Sequence, residues 1–313
     1  MNITFLDTKT VGNLPNLNNF EEFGTYTTYL TTQPSEVKER LKGQDVVITN
    51  KVTITKEVME QCPDLKLICV AATGTNNVDM AAAKDLNIIV KNVEDYSTSS
   101  VAQHTFSMIL SLLNQPASHD DYVKSGAYSD GDIFTYLGLP FWELQGKRMS
   151  IIGLGNIGKK VASIADAFGC EVCYYSSSGV DRHPMYNRLE INELMKSSDI
   201  VSVHAPLNDA TRDLINYDKL KMMKKDAILI NTGRGGIINE SDLCKALDEE
   251  LIRGAAIDVF SEEPITKNHP FTRLKHPERI LLSPHVAWAS IESRTLLLDK
   301  VYQNIKAYLQ DQH

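Results

Sequence analysis

Apolar residues in the first third of the chain fall into short runs, at 3–6, 46–49, 67–70 and 88–90, separated by weakly amphipathic stretches. Runs this short and this apolar predict buried strands. The stretches between them, 34–41, 56–61 and 79–86, predict helices. Strand and helix alternating at this spacing imply a parallel sheet covered on both faces. The same rhythm returns later, with strand candidates at 149–152, 171–175, 200–203, 227–230, 255–257 and 280–282. A helical run over 101–113 follows the Ser/Thr cluster 97–100, which favours a helix start. A last helix over 290–309 carries Leu296, Leu297, Val301 and Ile305 on one side and is expected to return to the first sheet. The fold class is therefore α/β, with two Rossmann-like or flavodoxin-like domains. Residues 1–98 with 288–313 form the expected substrate domain and 99–287 the nucleotide domain, with substrate in the cleft.

The run at 149–152 stops at Gly153-Leu154-Gly155-Asn156-Ile157-Gly158. Behind it, Ile157, Val161, Ile164, Ala165 and Phe168 recur at helical intervals, and strand 171–175 follows Gly169. Strand, glycine turn, helix, strand is the setting in which GxGxxG binds a dinucleotide. The first glycine makes the turn, the second admits a pyrophosphate to the backbone, and the third lets helix and strand pack. The helix N-terminus then offers its free N–H groups to the phosphates.

Composition narrows the class. A net charge of −8 argues against nucleic acid or an anionic membrane as the main partner. No apolar run approaches the roughly 18 residues of a transmembrane helix. Residues 1–7 read as a first strand and not as a signal peptide, so a cytoplasmic enzyme is expected. Five cysteines, an odd number, do not make a disulfide framework. Cys170 and Cys173 have CxxC spacing, but residues three apart on a strand face opposite ways, and no metal site is expected.

Several strands of the second half end in polar residues. These are His204-Ala205-Pro206, Asn231-Thr232-Gly233-Arg234-Gly235-Gly236, Asp258, and Ser283-Pro284-His285. Such ends on one sheet edge would build a single site at the mouth of the glycine turn. Arg234, Glu263 and His285 are the ionisable candidates. A guanidinium matches a carboxylate bidentately, a histidine exchanges protons near neutrality, and a neighbouring carboxylate fixes its tautomer. That set beside a nicotinamide suits reversible reduction of a 2-oxo acid. The bland alternatives are a surface arginine, an acidic turn and a loop cap. His104, within the helix over 101–113, reads as a packing or hinge residue and not as a catalyst. The turn Thr73-Gly74 after strand 67–70 either joins strand to helix or presents N–H groups to an anion. Residues 115–147 are loop-rich, and their aromatics (Tyr122, Tyr128, Phe134, Tyr136, Phe141, Trp142) either cover a cleft or fill a subunit interface.

Taken together, Gly153–Gly158, Asn231-Thr232-Gly233-Arg234-Gly235, 254–264 and Pro284-His285-Val286-Ala287-Trp288 resemble the D-isomer-specific 2-hydroxyacid dehydrogenase family along nearly the whole chain. The resemblance implies that Arg234 binds the substrate carboxylate, His285 exchanges a proton with the C2 oxygen, and Glu263 supports His285. Thr73, Gly74 and Trp288 would join Arg234 and His285 around the substrate. NAD(P)(H) would lie against Val101, Thr105, Gly153, Gly155, Asn156, Ile157, Gly158, Ser176, Ser177, His204, Pro206, Thr211, Thr232, Gly233, Asp258, His285 and Ala287. Asp258 would hold the nicotinamide amide. Residues 100–105, 134–136 and 143–146, and Trp288, are most similar to glycerate dehydrogenase/hydroxypyruvate reductase members. D-lactate-type or broad 2-oxo-acid reduction is the alternative, and a dinucleotide-sensing corepressor-like binder is the non-enzymatic one. A homodimer is implied by the resemblance alone.

One position departs from the NAD-preferring pattern. Ser176 stands where such relatives carry an Asp that bonds the ribose hydroxyls and repels a 2′-phosphate. Serines accept a phosphate and Arg182 could pair with it, which leans toward NADP tolerance; Asp181 swinging in to the ribose is the opposing possibility.

Overall fold

The structure, a computed structural model, describes residues 1–183 and 185–311. Positions 184, 312 and 313, the last two of them at the end of the expected substrate domain, lie outside the described residues. The chain divides into two compact units, Met1–Ser97 with Ala289–His313, and Thr98–Trp288.

The first unit contains β1 (Asn2–Phe5), β2 (Thr25–Thr28), α1 (Val37–Leu41), β3 (Val46–Thr49), α2 (Lys56–Glu60), β4 (Leu67–Val70), α3 (Met80–Asp85) and β5 (Ile89–Lys91). Its strands pair in parallel in the order β2-β1-β3-β4-β5, the flavodoxin-like doubly wound order. The central strands β3 and β4 are buried at every position, as a strand covered on both faces must be. Asp79 caps α3 by accepting from Ala82 N.

The second unit opens with α4 (Thr98–Asn114) and α5 (Pro116–Lys124). It continues with β6 (Arg148–Ile152), α6 (Asn156–Ala167), β7 (Glu171–Tyr175), β8 (Asn187–Arg188), α7 (Ile191–Ser197) and β9 (Ile200–Val203). Next come α8 (Tyr217–Leu220), β10 (Ile228–Asn231), α9 (Glu240–Asp248), β11 (Gly254–Ile257) and β12 (Ile280–Leu282). Strand order among the described residues is β12-β11-β10-β9-β6-β7-β8, with every pairing parallel. This is a Rossmann sheet extended by one strand, and its order reverses between β6 and β9. Apolar clusters cover both faces, one around Val201, Leu229 and Leu243, the other around Ile109, Ile151 and Val161.

The chain then returns to the first unit as α10 (Ile291–Gln310), capped by Ser290 and packed on β4. Its buried face is Leu297, Leu298, Val301, Ile305 and Tyr308, while Leu296, expected on that face, is exposed. Phe168, expected on the inner face of α6, is the helix C-cap; it is largely exposed and stacks on Phe106. No described helix is long and apolar enough to cross a membrane.

Candidate active site

Because all the strands of the second sheet run one way, their carboxyl ends line one edge. At the reversal point, β6 runs between β7 and β9, and Gly153 N donates to Tyr175 O at 3.0 Å. Gly153 has φ +92°, and a Cβ there would lie 2.6 Å from the backbone of Ala205. Only glycine tolerates both the left-handed conformation and that approach. Gly158 is packed still more closely against the carbonyl of Gly153, which sets α6 directly behind the turn. Gly155, by contrast, has nothing within 4 Å of where a Cβ would be, and it is the N-cap of α6 without a side-chain cap. Open space above an uncapped helix N-terminus fits a pyrophosphate. Asn156 and Ile157 form the first turn of that helix.

His204 directly follows β9, its N–H donating to Ile152 O at 2.7 Å. Its Nε2 lies 2.8 Å from Ser202 Oγ, and Nδ1 is buried without a partner. Burial pushes the imidazole down to about 3, so the ring is neutral at physiological pH. An orphaned buried nitrogen beside the glycine turn again fits a bound polar ligand. Thr211, fully buried, donates to Pro206 O and shapes the loop after β9; Pro206 itself is exposed.

The loop after β10 is braced by Asn231, whose Oδ1 accepts from Gly233 N (3.1 Å) and whose Nδ2 donates to Arg234 O (2.9 Å). Arg234 is exposed, with Nη1 donating to Gly233 O. Gly235 lies flush on the backbone of Phe260 and Ser261, so the arginine loop abuts the turn that carries Glu263. Thr232 and Thr105 are buried and share a hydrogen bond of 2.9 Å, and Thr105 also donates to Val101 O. These two threonines therefore shape the floor of the site from within.

Asp258 directly follows β11 and is wholly buried. Its Oδ1 accepts from Ser283 Oγ (2.5 Å) and Val286 N (2.9 Å), and Oδ2 accepts from Ala287 N (3.0 Å). His285 N donates to the carbonyl of Asp258, and His285 holds φ +52°. The His285 ring is bonded through Nδ1 to Glu263 Oε2 at 2.7 Å, while Glu263 Oε1 accepts from Phe260 N. The structure thus brings His285 and Glu263 together and hangs their turn from Asp258. With about four lone-pair sites on a carboxylate, Oδ2 has acceptor capacity beyond Ala287 N, but the side chain is closed to solvent.

Ser176, buried after β7, lies 3.2 Å from Ser178 (Oγ to Oγ), and Arg182 Nη2 donates to Ser178 Oγ at 3.4 Å. Ser177 stands half-buried between the two serines. Asp181 is paired with Arg188 at 3.2 Å. Trp288 belongs to the second unit and is half-buried. Thr73 and Gly74 belong to the first unit, after β4, where Thr73 Oγ1 donates to Val93 O and Thr73 O accepts from Asn92 Nδ2.

Two associations escaped sequence reasoning. Ser202 holds His204, and His104 reaches Ser283 and Asp258. His104 and Ser283 are 179 residues apart, and nothing local in either stretch signals the other. All five cysteines are free thiols. Among the described residues no group of three or more His, Cys, Asp or Glu could hold a metal ion.

A doubly wound parallel sheet with a glycine turn at its reversal point, and polar side chains gathered at the strand ends, defines a dinucleotide-dependent enzyme domain. Residues 106–287 match the D-isomer specific 2-hydroxyacid dehydrogenase NAD binding domain, and the chain belongs to that family of NAD-dependent enzymes. A glycerate dehydrogenase of Methylorubrum extorquens is 36% identical, over 89% of this chain and 87% of its own. A hydroxypyruvate reductase of Blautia hydrogenotrophica is 34% identical, over 89% of this chain and 86% of its own. Among solved structures, an acyclic imino acid reductase in complex with NADPH and D-arginine superposes with a TM-score of 0.88. It is 31% identical, over 99% of this chain and 98% of that one.

Proposed function

We propose that the protein reversibly transfers a hydride between NAD(P)H and C2 of a small 2-oxo acid, reducing hydroxypyruvate or glyoxylate to D-glycerate or glycolate. The observation that carries this reading is the His285–Glu263 pair on a left-handed turn hung from buried Asp258. With Nδ1 committed to Glu263, Nε2 is the nitrogen left to give a proton to the C2 oxygen on reduction and to take it back on oxidation. Glu263 orients the ring and fixes which nitrogen faces the substrate. The exposed guanidinium of Arg234 pairs with the substrate carboxylate and sets the carbonyl against His285. Bound NAD(P)H supplies the hydride. Gly153, Gly155 and the first turn of α6 would hold its pyrophosphate, and the turn hung from Asp258 would flank its nicotinamide. The relatives named glycerate dehydrogenase and hydroxypyruvate reductase support the choice of substrates.

The ion pair of Asp181 with Arg188 draws that carboxylate away from a ribose, while Ser176, Ser178 and Arg182 form a cluster suited to a 2′-phosphate. NADPH is therefore the preferred reductant. Free buried thiols suit a reducing cytoplasm. Phe134 and Leu137, 89% and 79% exposed, belong to the segment 123–141, which also exposes Val123, Ile133 and Phe141. A second copy of the chain covers these exposed apolar side chains, and Leu137→Asp should yield a monomer by analytical ultracentrifugation.

The deciding assay is NADH and NADPH oxidation with hydroxypyruvate, glyoxylate and pyruvate side by side. The highest kcat/KM is expected for hydroxypyruvate with NADPH. Preference for pyruvate would replace the substrate assignment with a lactate-type one.

A further inference from the structure

We propose that His104 is a positioning residue for this reaction: through Ser283 it steadies the carboxylate of Asp258, and with it the turn that presents His285. The proposal rests on the role given to His285 above. Helix α4 packs against β11 and brings His104 to the carboxyl ends of β11 and β12. There Nε2 lies 3.0 Å from Ser283 Oγ and 3.6 Å from Asp258 Oδ1, and Ser283 Oγ lies 2.5 Å from the same Oδ1.

The direction of this chain follows from proton counting. A serine hydroxyl has one proton to give, and a carboxylate only accepts. The Ser283 proton therefore goes to Asp258, and Ser283 meets His104 as an acceptor. Nε2 of His104 carries a hydrogen in either charge state of the ring. By donating to Ser283, His104 occupies an acceptor lone pair and fixes the rotation of the hydroxyl, so that its proton points at Oδ1.

That orientation matters because Asp258 grips both flanks of residue 285. Ser283 is bonded on one side, and Val286 N and Ala287 N on the other. A non-glycine residue stays in the left-handed region only where its surroundings hold it there, and His285 is such a residue. The carboxylate has no water access to substitute for a lost partner, being fully buried. His104, expected as a packing or hinge residue, meets partners as far as 179 residues along the chain; the geometry makes it the outer anchor of the His285 turn.

The test compares His104→Leu, which keeps bulk without a donor, His104→Gln, which keeps an N–H donor, Ser283→Ala, and the double variant His104→Leu/Ser283→Ala. For each, kcat and KM with hydroxypyruvate are measured, and the NADPH Kd is read by fluorescence titration. His104→Leu should lower kcat by about tenfold, the worth of one hydrogen bond, and weaken NADPH by about threefold, with KM for the 2-oxo acid within about twofold. His104→Gln should recover most of kcat, and the double variant should be no worse than either single, because one chain is broken only once. Wild-type kcat and Kd in His104→Leu, equal damage in the Gln and Leu variants, or additive losses would overturn the proposal. Should the wild type reduce none of the oxo acids, the proposed function falls. The non-additivity of the NADPH Kd values would then still decide the role of His104 on its own.

Discussion

Replacing Gly155 by alanine adds one methyl group at a point where nothing lies within 4 Å. Its backbone (φ −82°, ψ −163°) is open to any residue, so the change tightens the unfolded chain by about 0.4–1 kcal/mol. Alanine is a poorer N-cap than glycine by a similar amount, about 1 kcal/mol, and net stability should move by less than about 1 kcal/mol. The same methyl occupies the space through which a pyrophosphate must approach the backbone, so NADPH should bind at least about tenfold more weakly, or about 1.4 kcal/mol. Gly153→Ala is the opposite case. Left-handed strain of about 1–3 kcal/mol and overpacking on the Ala205 backbone of about 1–3 kcal/mol act on the fold itself. The second unit should melt roughly 5–20 °C lower, at about 2–4 °C per kcal/mol for a unit of this size. Thermal melting and NADPH fluorescence titration on the two variants read both effects. Wild-type affinity in Gly155→Ala, or a wild-type melting temperature in Gly153→Ala, would refute the reasoning.

Other expectations concern single side chains. Arg234→Ala should raise KM for the 2-oxo acid by about tenfold or more while leaving the NADPH Kd unchanged, since the lost pairing is with the substrate carboxylate; steady-state kinetics and titration check both. Arg182→Ala should lower the NADPH over NADH preference in kcat/KM by about tenfold, the worth of one phosphate pairing, and an unchanged ratio would remove Arg182 from cofactor choice. For His204 the folded pKa, about 3, is depressed below the ordinary value of about 6.5. As pH falls the unfolded chain takes the proton first, so stability is full above about 6.5 and declines toward 3, by about 1.4 kcal/mol per pH unit. Urea unfolding at neutral pH and near pH 5 should show the wild type losing about 2 kcal/mol more than His204→Asn.

How much the amino-acid pattern reveals depends on burial. Strands Val46–Thr49, Leu67–Val70, Glu171–Tyr175 and Ile200–Val203 have the expected bounds, because apolar runs enclosed by helices leave little ambiguity. Edge strand Ile280–Leu282 has them too, its run being apolar throughout although none of it is buried. Strand Thr25–Thr28 leaves no such trace: it lies at a sheet edge, its residues are Thr and Tyr, and none is buried. Helix Pro116–Lys124 also buries no residue, so it lacks an apolar period, and proline at its first turn is the one local cue. On α10 the expected row included Leu296, but the buried row follows Leu297, Val301, Ile305 and Tyr308, a spacing that turns Leu296 outward. Polar strand ends are legible, since topology alone carries them to one edge. The pairing of His104 with Ser283 is not, because it depends on where a helix packs across the strand ends.

The most direct test of the account is the turnover of His285→Ala with hydroxypyruvate and NADPH, its cofactor Kd being measured on the same preparation. A positioned acid–base is worth about 100- to 10,000-fold in rate. The account predicts a loss of kcat in that range with NADPH binding within about threefold of wild type, because Asp258 and the glycine turn remain. Undiminished turnover would contradict it, since the proton at the C2 oxygen would then come from another group.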